Sequence, residues 1–274
     1  PVELEIPPDI LAAIGEVEIL EAELYSVKQP ADDLVARAAE ALAGADNPAI
    51  VIGGGTLRAE AGPEIAEMAE LLDAPVVGTQ QAKGAISASH RQYVGVHYAQ
   101  VGVSKELLDD SDVILVAGTR FLVPGFKAAN GQTIIKIDVD QRELDKDHGT
   151  SIAIEADAKA GLAAIIDALR KGGVDNATGP GGERAATYRN KMQAFLNEKA
   201  PNQTTWVKAV REATDDNAVL IAGMTNIGYW SHVAYEVQDG GEFITSGYFG
   251  NLGFSFPTAL GAKVAAGDRP VVAL

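Results

Sequence analysis

Cysteine is absent from the 274 residues, which excludes disulfides, thiolate metal sites and a thiol nucleophile. Basic residues are scarce: 22 lysines and arginines stand against 38 aspartates and glutamates, a net charge of −16. Such a chain does not attract nucleic acid or an anionic membrane through its overall charge. No apolar run reaches the roughly 18 residues of a membrane span, and the first residues, PVELEIPPDI, do not resemble a signal peptide. We therefore expect no nucleic-acid or membrane partner, and the cytoplasm as the compartment.

Several catalytic signatures are also missing. Neither G-x-S-x-G nor a Walker motif occurs in the sequence. The four histidines, at positions 90, 97, 148 and 232, have no second ligand at the spacing of a metal site. We therefore predict no metal site from these residues, and the side chains alone indicate an α/β protein with a possible nucleotide site.

Residues 31–173 alternate helical patterns with short apolar strands. We predict helices at residues 31–43, 64–72, 105–108 and 158–169, and strands at residues 49–52, 75–77, 113–117 and 133–137. Strands of near-continuous Val, Ile and Ala are typical of a parallel sheet that helices cover on both faces. We therefore predict one doubly wound, Rossmann-like α/β domain. Residues 1–30 are interpreted as the last strand of a preceding domain, residues 2–6, followed by a linker.

A second α/β unit is predicted from residue 204 to residue 274, after a linker at residues 174–203 that contains a polar helix, residues 183–199. Its predicted helices are residues 206–213, 226–234 and 257–266, and its predicted strands are residues 218–222, 243–245 and 271–274. The last strand reaches the final residue, and a buried strand needs sheet partners for its backbone groups. We therefore expect this unit to be incomplete and the chain to be a piece of a longer protein.

A glycine triplet, Gly53, Gly54 and Gly55, follows the first strand of the doubly wound domain. Such a turn lets backbone N–H groups approach a phosphate. The triplet is equally compatible with a tight turn that binds no ligand. The G-x-G-x-x-G fingerprint of dinucleotide-binding proteins is absent, and the next helix is expected to begin late. The triplet alone is therefore a weak indication of a nucleotide site.

Polar residues follow the third and fourth predicted strands, residues 113–117 and 133–137. Arg120 can pair with a phosphate as a bidentate donor, or it can form a surface salt bridge. Asp138 and Asp140 can hold a ribose, or they can cap the helix that follows. Both pairs of alternatives stay open at this point.

Three stretches of the chain resemble a known family. They are PVELEIPPDI at the start, PAIVIGGGTLRAEAGPEIAEMAELLDAPVVGTQQAKGAIS in the first predicted domain, and residues 248–274. Together they resemble the end of the N-terminal domain, the middle domain and the opening of the C-terminal domain of thiamine diphosphate (ThDP) enzymes related to acetolactate synthase and benzoylformate decarboxylase. The last stretch is the most specific, because a glycine turn, a proline-led helix and D-R-P-V-V-A follow one another in order.

The resemblance assigns roles to four residues. Gly250 matches the glycine whose carbonyl accepts the pyrimidine amino group of ThDP, and Leu252 matches the apolar residue under the bent cofactor. Thr225 and Asn226 match a strand-to-helix turn beside the diphosphate. Gly223 departs from the family, many members of which have an acid there. An apolar side chain between two glycines can support a ring without steric conflict.

The resemblance also implies what the whole protein does. It implies ThDP- and Mg²⁺-dependent decarboxylation of a 2-keto acid, followed by protonation of the product or its transfer to an acceptor, in a homodimer or homotetramer. It places the catalytic glutamate before Pro1 and the magnesium motif after Leu274, so we expect no catalytic residue in this chain and an inactive fragment.

The middle domain of the family sometimes holds FAD or ADP, for which Gly53, Gly54, Gly55 and Arg120 are the candidate residues. Arg120 is followed by Phe-Leu-Val-Pro-Gly-Phe instead of the acidic pair and arginine of acetolactate synthases, which argues against FAD. The alternative function is a stand-alone nucleotide-binding Rossmann-like module without ThDP chemistry. A further alternative is a fragment that binds no ligand.

Overall fold

The computed structural model describes residues 5–16, 18, 21, 26–97, 101–121, 123, 126–146, 149–175, 181–247 and 249–274. The predicted strand at residues 2–6 lies mostly outside these ranges, as does His148. Glu5 and Ile6 are in no strand, and a short helix, α1 (Pro8–Leu11), lies in the predicted linker instead. Pro8 begins this helix, because proline is favourable in a first helical turn.

The first sheet has six parallel strands in the order β3-β2-β1-β4-β5-β6. The chain builds one half outward from β1 and then returns to build the other half outward from β4. This order confirms the predicted doubly wound α/β fold. The strands are β1 (Ala49–Ile52), β2 (Val76–Thr79), β3 (Tyr93–His97), β4 (Val113–Ala117), β5 (Thr133–Asp138) and β6 (Ile152–Glu155).

Helices cover both faces of this sheet, as the continuous apolar strands predict. Ile50 and Ile52 of β1 lie in the core on one face, whereas Ala49 and Val51 lie in the core on the other, because successive strand side chains point to opposite faces. The helices are α2 (Asp32–Ala43), α3 (Gly54–Arg58), α4 (Gly62–Leu72), α5 (Ser104–Asp109), α6 (Gln141–Leu144), α7 (Ala158–Lys171) and α8 (Gly181–Lys199), with a 3₁₀ helix at Gln80–Ala82.

The second unit is a smaller parallel sheet with the strand order β8-β7-β9. Its core contains Val207, Leu220, Tyr235 and Phe243. Among its helices, α11 buries no residue, so its apolar side chains lie on the surface. The elements are α9 (Pro201–Glu212), β7 (Val219–Ala222), α10 (Asn226–Ala234), β8 (Glu242–Thr245), α11 (Ser255–Ala266) and β9 (Val271–Ala273).

The two units contact each other beside β3. The backbone N–H of Ala88 donates to the carbonyl of Val237 at 2.8 Å, and the Lys83 ammonium nitrogen lies 2.8 Å from the carbonyl oxygen of His232. Helix α8, which precedes the second unit, packs Tyr188 and Met192 into a core of the first sheet. The smaller sheet is therefore held against the larger one by backbone and side-chain contacts.

Candidate functional site

The loops that follow β7 and β8 leave the second sheet side by side. Ala222 and Thr245, the last residues of these strands, are partners in the parallel register. A Cβ atom on Gly250 would lie 3.5 Å from the sulfur of Met224, so the two loops lie next to each other. The structure therefore brings Thr225, Asn226 and the turn that contains Gly250 and Leu252 to one edge of the sheet.

Thr225 is the N-cap of α10. Its backbone is extended, and its hydroxyl oxygen accepts a hydrogen bond from the N–H of Gly228 at 2.9 Å. A threonine hydroxyl has one donor and two acceptor positions, so its proton stays available to a phosphate oxygen. The Asn226 amide oxygen accepts from the Gln203 amide nitrogen at 3.1 Å. This helix N-terminus fits an anion because its first N–H groups point outward.

Gly250 and Leu252 form a turn whose backbone requires glycine. Gly250 has φ +61° and Gly253 has φ +76°, in the left-handed region where side chains are strained. Between them Leu252 is 84% exposed, beside the exposed ring of Phe249. An apolar side chain presented in this way fits the planar ring of a cofactor, so these residues are compatible with the role that the resemblance gives them.

A larger cavity lies at the carboxyl edge of the first sheet. It measures about 730 Å³, and its lining includes Gly54, Gly55 and Arg120. This is the edge where strand order reverses between β1 and β4, the usual ligand position in doubly wound folds. Asp138 and Asp140 lie in the same wall. The structure thus brings together most of the residues proposed for a nucleotide.

Gly53 is absent from that lining because it packs against the turn after β4. A Cβ atom on Gly53 would lie 2.2 Å from the carbonyl oxygen of Gly118. The N–H groups of Gly53 and Gly55 donate to the carbonyls of Ala117 and Gly118, each at 2.9 Å. Helix α3 begins at Gly54, so the expectation of a late helix was wrong. These contacts are those of a tight turn, and the phosphate role stays a prediction.

Asp140 caps α6, as one of the two interpretations of the strand-end aspartates predicts. Its carboxylate accepts from the backbone N–H of Arg142 at 3.0 Å and pairs with the Arg142 guanidinium at 2.8 Å. These hydrogen bonds lower the pKa of the Asp140 carboxyl. Burial raises the pKa of the neighbouring Asp138 carboxyl, whose oxygen accepts from the Asp140 N–H at 3.1 Å.

Sequence reasoning missed a buried polar group between the two units. Lys83 is only 5% exposed, and its amino group lies 5.2 Å from the ring centroid of Phe243. Burial lowers the pKa of Lys83 to about 7, although the charge of Glu236 acts in the opposite direction. Burial also lowers the pKa of His232 to about 4. The only indication of this buried lysine in the sequence was its position between two small residues, Ala82 and Gly84.

Within the described ranges, no group of three or more His, Asp or Glu side chains is placed to hold a metal ion. No described helix is both long enough and apolar enough to pass through a bilayer.

Comparison with known proteins places the two units in one family. A profile described as thiamine pyrophosphate enzyme, central domain, matches residues 35–165. A second profile, described as thiamine pyrophosphate enzyme, C-terminal TPP binding domain, matches residues 223–274. The first range lies within the doubly wound domain, and the second contains Thr225 and Gly250.

Individual relatives agree with the profiles. The acetolactate synthase isozyme 1 large subunit of Escherichia coli (strain K12) is 27% identical over 99% of this chain and 49% of its own length. An acetolactate synthase of Mycobacterium bovis is 29% identical over 90% of this chain and 41% of its own length. The probable 2-ketoarginine decarboxylase AruI of Pseudomonas aeruginosa is 26% identical over the whole chain and 49% of its own length.

Fold and site together define a two-unit parallel α/β protein with its candidate ligand positions at the carboxyl edges of both sheets. On the two profile matches and the relatives, the chain belongs to the thiamine diphosphate-dependent enzyme family. It spans about half the length of the curated relatives it matches.

Proposed function

We propose that these residues form part of a ThDP- and Mg²⁺-dependent enzyme that acts on a 2-keto acid by decarboxylation or carboligation, in the manner of acetolactate synthases. The observation that carries the proposal is the proximity of the loops of Met224 and Gly250. It joins a helix N-terminus suited to a diphosphate with an exposed apolar turn suited to a ring. The names of the relatives support a keto-acid substrate. We further propose a cytoplasmic homodimer or homotetramer.

Each of the four residues has a defined task in this proposal. Thr225 and Asn226 donate hydrogen bonds to the diphosphate at the start of α10. The carbonyl of Gly250 would accept from the amino group of the pyrimidine, and Leu252 would pack against the rings. Bound ThDP supplies a carbon nucleophile for the keto carbon of the substrate. The protein would position that nucleophile.

Leu252→Ala in the intact gene product tests this arrangement. We expect kcat/KM for CO₂ release from a 2-keto acid to fall by up to about a hundredfold, because a misplaced reacting group costs that much. Leu260→Ala is the matched control, since Leu260 is also an exposed leucine but lies on α11. Equal activity in the two variants would show that Leu252 is not part of the cofactor site. Absence of CO₂ release from every 2-keto acid tried on the wild-type protein would overturn the function itself.

The 274 residues alone are expected to bind ThDP weakly. The resemblance places the glutamate that protonates the pyrimidine and the motif that holds Mg²⁺ outside them, and a diphosphate needs the metal to offset its charge. Calorimetry with ThDP and Mg²⁺ on residues 1–274 should give no binding in the micromolar range. Micromolar binding would show that this part of the family's site is sufficient.

The cavity of the middle domain is the candidate site for a nucleotide. We propose that it does not hold FAD, because the residues after Arg120 depart from the pattern of acetolactate synthases. The purified intact protein should therefore lack a flavin absorbance band, and such a band would contradict the proposal. Calorimetry with ADP on the wild type and on Arg120→Ala then tests Arg120 as a ligand of a phosphate. A stand-alone nucleotide-binding module is not favoured, since both parts of the chain match one enzyme family.

A further inference from the structure

The side chain of Gln81 lies beside both candidate sites. Gln81 belongs to the 3₁₀ helix that follows β2, and it lines the large cavity of the first sheet. A Cβ atom on Gly247 would lie 4.0 Å from the Gln81 amide oxygen. Gly247 is the second residue after β8, in the loop that leads to Gly250 and Leu252. One side chain of the first unit therefore reaches from the cavity to the loop of the cofactor turn.

The polar groups at this junction are unpaired. The amide nitrogen of Gln81 is buried, and it has no hydrogen-bond partner among the residues that the structure describes. The same holds for the hydroxyl of Ser246, the residue before Gly247. Burying a polar atom without a partner costs free energy, so such atoms are rare in folded proteins and call for a functional explanation. The junction beside the cofactor turn thus has hydrogen-bonding capacity that the fold itself does not use.

The amide of Gln81 can serve a ligand in the cavity. A glutamine amide has two N–H donors, and the torsion that orients it is broad. A rotation about this torsion can therefore turn the N–H groups into the space that the side chain already lines. The donor belongs to an uncharged group, so it binds an oxygen of the ligand without changing the net charge of the site.

The charge near Gln81 favours an anionic oxygen. A Cβ atom on Gly54 would lie 3.0 Å from the Cβ of Gln81 and 3.7 Å from a guanidinium nitrogen of Arg58. The cation of Arg58 is therefore close to Gln81, and it lines the same cavity. The carboxylates of the cavity wall lie on β5, on α6 or just before a helix: Asp138, Asp140, Glu143 and Asp157. An amide donor with a cation nearby is suited to a carboxylate ligand.

We propose that the amide of Gln81 donates a hydrogen bond to the carboxylate of the 2-oxo acid substrate at the cofactor turn, and that it thereby orients this substrate. The inference rests on the proposed function, because that function supplies the 2-oxo acid. Gln81 is then a substrate-binding residue contributed by the first unit, whereas the residues proposed for ThDP belong to the second.

Calorimetry on the intact gene product with ThDP and Mg²⁺ tests the contact. The probe is oxamate, an unreactive analogue of a small 2-oxo acid that keeps its carboxylate. Gln81→Met keeps an unbranched side chain of similar length but loses the amide, so oxamate should bind about tenfold more weakly, as expected for a lost hydrogen bond to a charged group. Gln80→Met is the matched control, because Gln80 lies in the same 3₁₀ helix and lines the same cavity. Its affinity for oxamate should change less than about twofold.

Thermal unfolding of the 274-residue chain tests the unpaired amide without any ligand. Gln81→Met removes a buried donor that has no partner, so the melting temperature should rise by about 2 to 4 °C. Gln80→Met should leave it unchanged, since no atom of the Gln80 amide is among the buried unpaired groups of the described residues. A fall in the melting temperature of Gln81→Met would show that the amide has a structural partner, and it would overturn the proposal.

The binding result separates this inference from the proposed function. Equal affinity of the wild type and Gln81→Met for oxamate, or a wild type that does not bind oxamate, would overturn the role of Gln81. CO₂ release from 2-oxo acids by the wild type is measured in parallel. A wild type that binds oxamate through Gln81 but releases no CO₂ would contradict the proposed reaction and still support the contact between the amide and a carboxylate.

Discussion

Glycine at position 53 is required by space and not by backbone angle. Its φ of −124° is open to any residue, but a Cβ atom would lie 2.2 Å from the Gly118 carbonyl oxygen and 2.3 Å from the Thr119 Cβ. Real Cβ atoms do not approach other atoms so closely, so a side chain here would push the two turns apart. The glycine triplet therefore has a packing role that stands whether or not a phosphate binds there.

Gly53→Ala should lower the free energy of unfolding by about 2 to 3 kcal/mol, because overpacking a fixed backbone contact costs that much. Gly261→Ala is the matched control: Gly261 lies in the exposed helix α11 with no atom within 4 Å of the added carbon. That variant should gain about 0.5 to 1 kcal/mol from helix propensity. Urea titration measures both. A Gly53→Ala variant as stable as the wild type would contradict the steric argument.

Lys83 should make stability depend on pH above neutrality. Its pKa is about 7 in the folded protein, below the value of about 10.4 for a free lysine. Between these values the unfolded chain holds one more proton, so the stability of the wild type rises with pH. Relative to Lys83→Met, it should rise by up to about 1.4 kcal/mol per pH unit from pH 7.5 to 9.5 and be flat below pH 6. Parallel curves for the two proteins in chemical denaturation would rule out the depressed value.

At the scale of elements, the central strands were predictable and the edge strands were not. Each of β1 and β4 is a continuous apolar run because it is buried on both faces, and both strands occur as predicted. The two strands that sequence reasoning missed, β3 and β6, are the outermost of the sheet. Partly exposed residues interrupt both of them, so neither carries the run that marks a buried strand.

Helix α3 was missed for a different reason. It begins with Gly54 and Gly55, which have poor helix propensity. The contact with the turn at Gly118 fixes their conformation, and that contact joins segments distant in sequence. In the same way, no local pattern could place Lys83 between the two units. The ThDP candidates, by contrast, came from family resemblance, and the structure adds that they share one sheet edge.

The start of α7 offers a test at this scale. The Asp157 carboxylate accepts from the N–H groups of Lys159 and Ala160 at 2.9 and 3.1 Å. Asp157→Ala should therefore cost about 1 kcal/mol, whereas Asp157→Ser should keep most of the cap. Asp167→Ala, at an exposed position of the same helix, should change stability by less than about 0.5 kcal/mol. Thermal unfolding of the three variants measures the difference, and equal losses in all three would disprove a capping role.

At the scale of the whole molecule, the excess of acidic residues dominates. A net charge of −16 on 274 residues produces repulsion that destabilises the compact state and that salt can screen. The melting temperature at pH 7.5 should therefore rise by a few degrees between 10 and about 300 mM NaCl. Near the sequence pI of about 4.6 the net charge vanishes, so the same salt increase should bring little change. An equal rise at both pH values would point to a cause other than charge repulsion.

The close packing of the glycine triplet against Gly118 also limits which mutations can change the ligand preference of the large cavity. Gly55 and Gly118, which line the cavity beside this junction, meet without an intervening side chain, so this part of the wall has no side chain that a mutation could change. Any shift in what this space accepts has to come from rim positions such as Arg58, Arg120 and Asp140. Engineering of new ligand preferences should therefore leave Gly55 and Gly118 unchanged and randomise the rim.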